Sequence, residues 1–343
     1  GRGLSYFVYD RANQAVTVRR IENKLGIKGS PTAELVFNNA PAQLVGDRKL
    51  GLIKYVMSLM NGARLGVGAQ SVGLAEAAYR EAVKYANERE QFGKAIINFP
   101  QVYEMLANMR AKTDAIRTLL YETARSVDMY KSLEAISRER KLENDERATL
   151  KTYSRLADAL TPMLKLFSSE YANQITYDCI QVHGGSGFMK DYACERFYRD
   201  ARILTIYEGT SQLQVVAAIR GVVSGAYVAR IKEYEAIEVR DELKPLRQTL
   251  ISLREAFEQC YEKVKEFGSS SEAFDFNSRR LVEIAGYLIM GNLLVNDANK
   301  DEMFTKSARI MTKIAQAEIE KAITYINNFD ASILEDYKSL IAE

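Results

Sequence analysis

The sequence predicts a mainly α-helical chain with a short β-rich segment at its start. Three observations carry this. The 343 residues contain five prolines, Pro31, Pro41, Pro100, Pro162 and Pro245. Proline removes a helical hydrogen bond and clashes with the preceding turn, so the long stretches between these positions are free to run as helices. From about Leu52 onward, apolar residues recur at spacings of three, four and seven, the period of a helix face. Before that point, short runs of aromatic and β-branched residues are separated by turn residues.

Leu4 to Tyr9 reads as a first strand, Ala15 to Val18 as a second, and Ala33 to Phe37 as a third, reached through the turn Gly29-Ser30-Pro31-Thr32. Three short strands make a weak sheet by themselves, so residues 1–45 are expected to be the end of a β domain. The first long helix places Ala75, Ala78, Ala82 and Tyr85 on one face and Glu76, Arg80, Lys84 and Glu88 on another. Asn98-Phe99-Pro100 starts the next, with proline tolerated in the first turn. That helix carries Val102, Leu106, Met109, Ile116, Leu120 and Val127 as core positions. The run Ser137 to Arg147 is almost all charged and reads as a solvated loop or exposed helix end. A long helix follows over 148–180, with a bend expected at Thr161-Pro162. Helical pattern resumes after the glycines at 184–187 and passes Arg220. Gly268 to Ser271 is the clearest linker-like stretch of the last third. Ile310, Ile314, Ala317 and Ala322 suggest the core stripe of a final bundle. The expected division is 1–45, 46–227 and 228–343. Leu281 to Asn296 is the most apolar run, but it contains Glu283 and falls short of the roughly 20 residues a spanning helix needs. It reads as a buried helix, so no transmembrane segment is expected.

Composition excludes several classes. Lys plus Arg is 47 and Asp plus Glu is 45, which lacks the clustered basic surface of a nucleic-acid binder. Three scattered cysteines, Cys179, Cys194 and Cys260, make no disulfide framework. One histidine and no Cys-x-x-Cys pair argue against a zinc site, so no metal is expected. The opening GRGLSYFVYD does not have the pattern of a secretory leader. A reducing intracellular compartment is the expectation.

Three segments have the composition for chemistry. In Arg89-Glu90-Gln91-Phe92-Gly93, a guanidinium beside a glycine turn can grip a phosphate in a bidentate way. It can equally sit on the carboxyl end of its own helix. In Gln181-Val182-His183-Gly184-Gly185-Ser186-Gly187-Phe188, three glycines in four residues let the backbone approach a ligand closely. A plain helix–helix turn reads the same way, and His183 by itself reads as a turn residue. In Ile206-Tyr207-Glu208-Gly209-Thr210-Ser211-Gln212, a carboxylate stands before a helix that Thr210 or Ser211 can cap.

Taken in order, these segments resemble the acyl-CoA dehydrogenase family. The resemblance runs from about Gly3 to Ala226. It begins at Lys24-Leu25-Gly26-Ile27-Lys28-Gly29-Ser30 and continues through Asn61-Gly62-Ala63-Arg64 and the glycine segments. It ends at Tyr207 to Gln212. It implies a four-helix bundle preceded by a remnant of a β domain and followed by a helical extension. The extension resembles the larger members, which append a C-terminal helical domain. It implies FAD as cofactor and an acyl-CoA thioester as substrate, oxidised to the trans-2-enoyl-CoA. Glu208 is then the base for the α-proton. Ala63 fills the position where some relatives carry the base instead. Gly209, Asn61 and Arg64 would shape the acyl-CoA site, with Arg220 as a further contact. Arg89, Gln91, Phe92, Gln181, Gly184, Gly185, Thr210 and Gln212 would hold FAD. Some of these segments reach a neighbouring subunit's flavin in the family, which implies a homodimer or a dimer of dimers. An electron-transferring flavoprotein is the implied acceptor. Bacterial cytoplasm, or mitochondrial matrix in a eukaryote, is the implied location.

Two features depart from the family pattern. Phe99-Pro100 stands where many relatives carry Phe-Gln, and Gln101 is one position late. The chain also lacks the family's N-terminal helical domain and the first half of its β domain. The competing expectations are an acyl-CoA oxidase, which uses oxygen as acceptor, and a helical assembly fragment without activity.

Overall fold

The computed structural model describes residues 3–269 and 271–342. Two separate antiparallel ladders open the chain. Strand β1 (Tyr6–Tyr9) pairs with β4 (Ala42–Val45), Tyr6 opposite Val45. Strand β2 (Val16–Ile21) pairs with β3 (Ala33–Phe37), with an irregularity between Val18 and Arg20. The expected third strand is β3. The expected second begins one residue late and runs to Ile21. β4 was not anticipated, because AQLV is short and follows a proline. Neither ladder has a buried face, and Phe7, Val18, Ile21 and Phe37 are more than half exposed.

Besides its covalent exit, where the Gly51 N–H donates to the Leu4 carbonyl at 2.9 Å, the segment is tied to the helical body near Asp200. The Ile27 N–H donates to Asp200 Oδ1 at 2.6 Å, and Arg199 donates to the Leu25 carbonyl at 3.0 Å. A Cβ at Gly26 would lie 2.4 Å from the Arg199 carbonyl oxygen. Glycine is needed here for close backbone approach.

A π-helical turn over Gly51–Val56 leads into α1 (Met57–Glu88). Ala75, Ala78 and Ala82 are fully buried, as their spacing predicts. A two-residue hairpin, β5 (Glu90–Gln91) and β6 (Lys94–Ala95), then turns the chain into α2 (Pro100–Glu139). α2 starts at the expected proline and buries Leu106, Met109, Ile116, Leu120 and Val127. The charged run is mostly helix end, because α3 (Asn144–His183) begins after four residues. α3 starts with a reciprocal capping box between Glu143 and Glu146 and runs through Pro162 as one helix. After it come a 3-10 turn over Gly184–Phe188, α4 (Cys194–Ala201) and a second 3-10 turn over Arg202–Thr205. α5 (Ser211–Val223) closes this part. The expected helix past Arg220 is therefore two helices, broken over 202–210 by the turn that carries Glu208.

The extension is α6 (Ala226–Glu235), α7 (Lys244–Lys265), α8 (Glu272–Lys300), α9 (Thr305–Asn327) and α10 (Ile333–Ala342). One continuous apolar core runs from α1 to α9, so the extension and the bundle share an interior. Polar ties reinforce this. The Tyr227 hydroxyl donates to the Ala159 carbonyl at 2.6 Å, Ser307 to Asp114 at 2.7 Å, and Tyr234 to Glu122 at 2.8 Å. The expected stripe on α9 is displaced. Ala308, Met311, Ala315 and Ile319 are buried, while Ile310, Ile314 and Ala322 are only partly buried and Ala317 is exposed. Of the linker-like stretch, Gly268 follows α7 at positive φ and Ser271 caps α8, while Ser270 lies outside the described residues.

The length estimate for the apolar run needs correction. α8 has 29 residues and is long and apolar enough to cross a membrane. Of its most apolar window, 83% is buried inside the protein, which makes it the central helix of the packed core.

Candidate functional site

The turn between the second 3-10 segment and α5 presents Glu208 and Gly209 at φ +56° and +97°. The left-handed region is unfavourable for a residue with a Cβ, by about 1–2 kcal/mol. Such a conformation persists where its surroundings over-determine it. Here three helices do so. Arg64 on α1 donates Nε–H to the Glu208 carbonyl at 3.2 Å. Gln214 on α5 donates to the same carbonyl at 3.3 Å and to that of Gly209 at 2.9 Å. Lys165 on α3 donates to the Gly209 carbonyl at 2.7 Å. Thr210 caps α5, its Oγ1 accepting the Leu213 N–H at 3.4 Å. A Cβ at Gly209 would meet Gln214 Nε2 at 2.8 Å, so the clamp closes only around glycine.

Asn61 extends the cluster. Its Oδ1 accepts from Arg64 at 3.3 Å, and its amide reaches Asp158 at 3.5 Å. Burial lowers the Arg64 pKa from its ordinary value, and the nearby Glu208 charge opposes the shift. Burial, aided by the Arg64 charge, brings Lys165 down to about 8, against the pull of Glu170 and Glu208. Burial and Glu208 raise the Tyr207 phenol, which hydrogen-bonds Gln70. The turn that carries Glu208 is thus fixed through its backbone carbonyls by side chains from three helices.

The other expected site residues fall in two places. Arg89 caps the end of α1, and Gln91 and Phe92 lie in the hairpin beyond it. Phe92 and Gly93 both have positive φ, as a tight hairpin requires, and Phe92 is 93% exposed. Gln181, Gly184 and Gly185 sit at the end of α3, exposed, with open space where a Cβ would stand at both glycines. Tyr85 joins these two regions. Its ring stacks on His183 at 4.3 Å and its hydroxyl donates to Ser186 at 3.3 Å. His183 is therefore a buried packing residue at the helix end. Thr210 and Gln212 line a polar cavity of about 510 Å³ with Arg202 and Arg279. The buried Ser211 hydroxyl beside them has no hydrogen-bond partner among the described residues.

The structure thus brings Asn61, Arg64, Glu208 and Gly209 into one cluster. Arg220 is not part of it. It is exposed near the far end of α5, about 13 Å along the axis from Ser211 at 1.5 Å per residue. Sequence reasoning missed Lys165 and Gln214, both fully buried. The available signal was a single lysine inside the apolar run Met163 to Phe167. Spacing also hid a cluster of Cys179, His183 and Cys194, whose ligand-type atoms lie within 4.8 Å of one another. Burial raises both thiol pKa values, and His183 Nδ1 is engaged by the Cys179 carbonyl at 2.7 Å. The three residues are packed together where α3 meets α4.

The chain is a helical-bundle domain with one clamped carboxylate turn and one open glycine turn. Family models give it a name. Residues 53–222 match "Acyl-CoA dehydrogenase, C-terminal domain", and residues 223–334 match "Acyl-CoA dehydrogenase C terminal". The chain belongs to the acyl-CoA dehydrogenase family. It is 38% identical over 224 residues to the acryloyl-CoA reductase (NADH) of Anaerotignum propionicum, covering 64% of this chain and 50% of that protein. It is 35% identical over 217 residues to the caffeyl-CoA reductase-Etf complex subunit CarC of Acetobacterium woodii, covering 62% and 50%. The fold resembles the acyl-CoA dehydrogenase of Bacillus anthracis, crystallised with FAD, at a TM-score of 0.75 and 26% identity. That match covers 98% of this chain and 61% of the other. The chain spans about half the length of the curated relatives it matches.

Proposed function

We propose that this chain carries the proton-transfer half of an FAD-dependent acyl-CoA dehydrogenase, with Glu208 as the base that removes the α-proton of an acyl-CoA thioester. The observation that supports this most is the Glu208–Gly209 turn, fixed in the left-handed region by donors from α1, α3 and α5. A base aimed at a weakly acidic carbon must be held in place before substrate arrives. Arg64 and Asn61 set one side of the site, and the missing side chain of Gly209 lets the Gln214 amide close on the turn.

The residues present fit FAD. Gly184 and Gly185 offer backbone with no side chain in the way. Arg89 supplies a guanidinium, and the Ser211 hydroxyl is buried without a partner among the described residues. Arg89, Gln91, Phe92, Gln181, Gly184, Gly185, Thr210 and Gln212 are the residues proposed to hold it. Bound FAD supplies the acceptor for the hydride that leaves the β-carbon. The exposed Phe92 and Phe188 support an assembly in which a second copy covers this face. An electron-transferring flavoprotein is the proposed redox partner, as the name of the Acetobacterium relative suggests for that protein.

Both relatives described above are named as reductases. The same site serves that direction, with Glu208 returning the proton to the α-carbon. Mixing the FAD-loaded full-length protein with acyl-CoA, and its reduced form with 2-enoyl-CoA, separates the two. Flavin bleaching in the first case, or reoxidation in the second, identifies the favoured direction.

The base assignment is tested by Glu208→Gln in the same FAD-loaded protein. The variant should keep FAD and lose bleaching by about 10²–10⁴-fold, the range for removal of a general base. Bleaching at the wild-type rate would overturn the assignment.

A further inference from the structure

We propose that Lys165 is a positioning residue for the proton transfer, holding the Glu208 carboxylate in its reactive place through the Gly209 carbonyl. The inference rests on the reading of Glu208 as the base.

Lys165 is fully buried, in a stretch of α3 where Met163, Leu164, Leu166 and Phe167 are buried too. Packing alone would favour an unbranched apolar side chain there. A buried ammonium is costly unless it meets a strong acceptor. The acceptor it meets is the carbonyl next to the proposed base, at 2.7 Å.

The arrangement around that carbonyl is saturated. A carbonyl oxygen has two lone pairs. The Glu208 carbonyl accepts from Arg64 and Gln214, and the Gly209 carbonyl accepts from Gln214 and Lys165. Both oxygens of the turn are therefore doubly bonded from behind, by side chains on three different helices. With those oxygens fixed inward, neither peptide plane can rotate without breaking two hydrogen bonds. Removing Lys165 leaves the Gly209 plane, which lies between the base and its helix, held by Gln214 alone. The charge acts in the same direction. Arg64 and Lys165 are two cations in electrostatic contact with one carboxylate, Glu208. Glu170 is the other anion that acts on Lys165.

The test uses Lys165→Met and Lys165→Gln in the FAD-loaded full-length protein, alongside Glu208→Gln. Methionine keeps the length and apolar packing of the lysine stem. Glutamine keeps a donor without the charge. Four readouts are needed: FAD content, acyl-CoA affinity, bleaching rate at saturating acyl-CoA, and the isotope effect with α-deuterated acyl-CoA. The proposal expects FAD content and affinity within about 3-fold of wild type. It expects the Lys165→Met rate to fall by about 10–100-fold, as a small misplacement of a reacting group does. It also expects a larger α-deuterium isotope effect, because proton abstraction becomes the slow step. Lys165→Gln should recover part of the rate. A merely structural lysine would change melting temperature and FAD content and leave the isotope effect where it was.

Wild-type bleaching and isotope effect in both variants, with Glu208→Gln inactive, would overturn the positioning role and leave the base assignment standing. Loss of FAD from both variants would also overturn it, by assigning Lys165 to the fold. An active Glu208→Gln would overturn the base assignment, and the positioning role with it.

Discussion

Lys165 leaves a signature in stability as well as in chemistry. Its folded pKa is about 8, against an ordinary value of 10.5, because burial and Arg64 disfavour the charged form. Between those values the unfolded chain binds a proton that the folded chain does not, so stability gains as pH rises through this window. As pH falls through 8 the contribution is lost, because the folded state must then carry the buried charge. Lys165→Met removes this one contribution. Melting temperatures measured for both proteins from pH 7 to 10.5 should therefore show the wild type gaining on the variant above pH 8. Parallel curves would show that the ammonium is not desolvated as the structure implies. This residue also marks the limit of what the sequence disclosed. Glu208, Gly209, Asn61 and Arg64 were legible because they sit in short motifs with polar and glycine neighbours. Lys165 and Gln214 were not, because the helices that deliver them are separated from the turn in the chain or read as ordinary periodic helix. A donor that crosses from another helix leaves no local spacing. Arg220 shows the converse: it lies close to the turn in sequence, yet about two and a half turns of α5 carry it away.

At the scale of elements, the long helices were legible from proline placement and periodicity, and α2 began at the expected Pro100. The stripe on α9 was misread by a fraction of a turn, since Met311, Ala315 and Ile319 are the buried set. That helix packs on α2, α7 and α8, so its buried face is wide and several stripes fit the same pattern. How α3 meets α8 could not be read at all. A Cβ at Gly286 on α8 would lie 2.0 Å from the Phe167 ring of α3. That ring is itself fixed edge-on against Tyr171 and Tyr287, with centroids 6.0 and 5.4 Å away. Gly286→Ala sets two effects against each other. Alanine gains about 1 kcal/mol of helix propensity. Overpacking a filled core costs about 1–3 kcal/mol, occasionally more. At 2.0 Å from a ring with no free direction, the clash dominates. We expect a net loss of about 1–2 kcal/mol in urea unfolding, partly recovered when Phe167→Leu is added. A variant as stable as wild type would mean that the α3–α8 contact is loose.

At the scale of the whole molecule, the helices form one body and the β-rich opening is a separate attachment. The core is continuous from α1 to α9, which makes the extension a structural part of the bundle. Ladders β1–β4 and β2–β3 have no buried face of their own, and a two-stranded ladder is marginally stable in water. The attachment of the β2–β3 ladder centres on Asp200, which accepts the Ile27 N–H at 2.6 Å, next to the Arg199–Leu25 hydrogen bond, while β1–β4 is held at the turn into α1. Ile27 is itself held at φ +47°, so its conformation depends on this contact. A hydrogen bond to a charged group contributes about 1.5–3 kcal/mol. Its loss in Asp200→Ala should detach the β2–β3 ladder about 10–100 times more often, by the free-energy conversion at 1.4 kcal/mol per decade. The bundle does not rely on that contact for its core. Hydrogen exchange followed by mass spectrometry should therefore show faster exchange across Val16 to Phe37, with α3 and α8 unchanged. Limited proteolysis should cut first between the strands. Equal acceleration in α3 would instead make the opening segment part of the same cooperative unit as the helices, with Asp200 as a keystone of both.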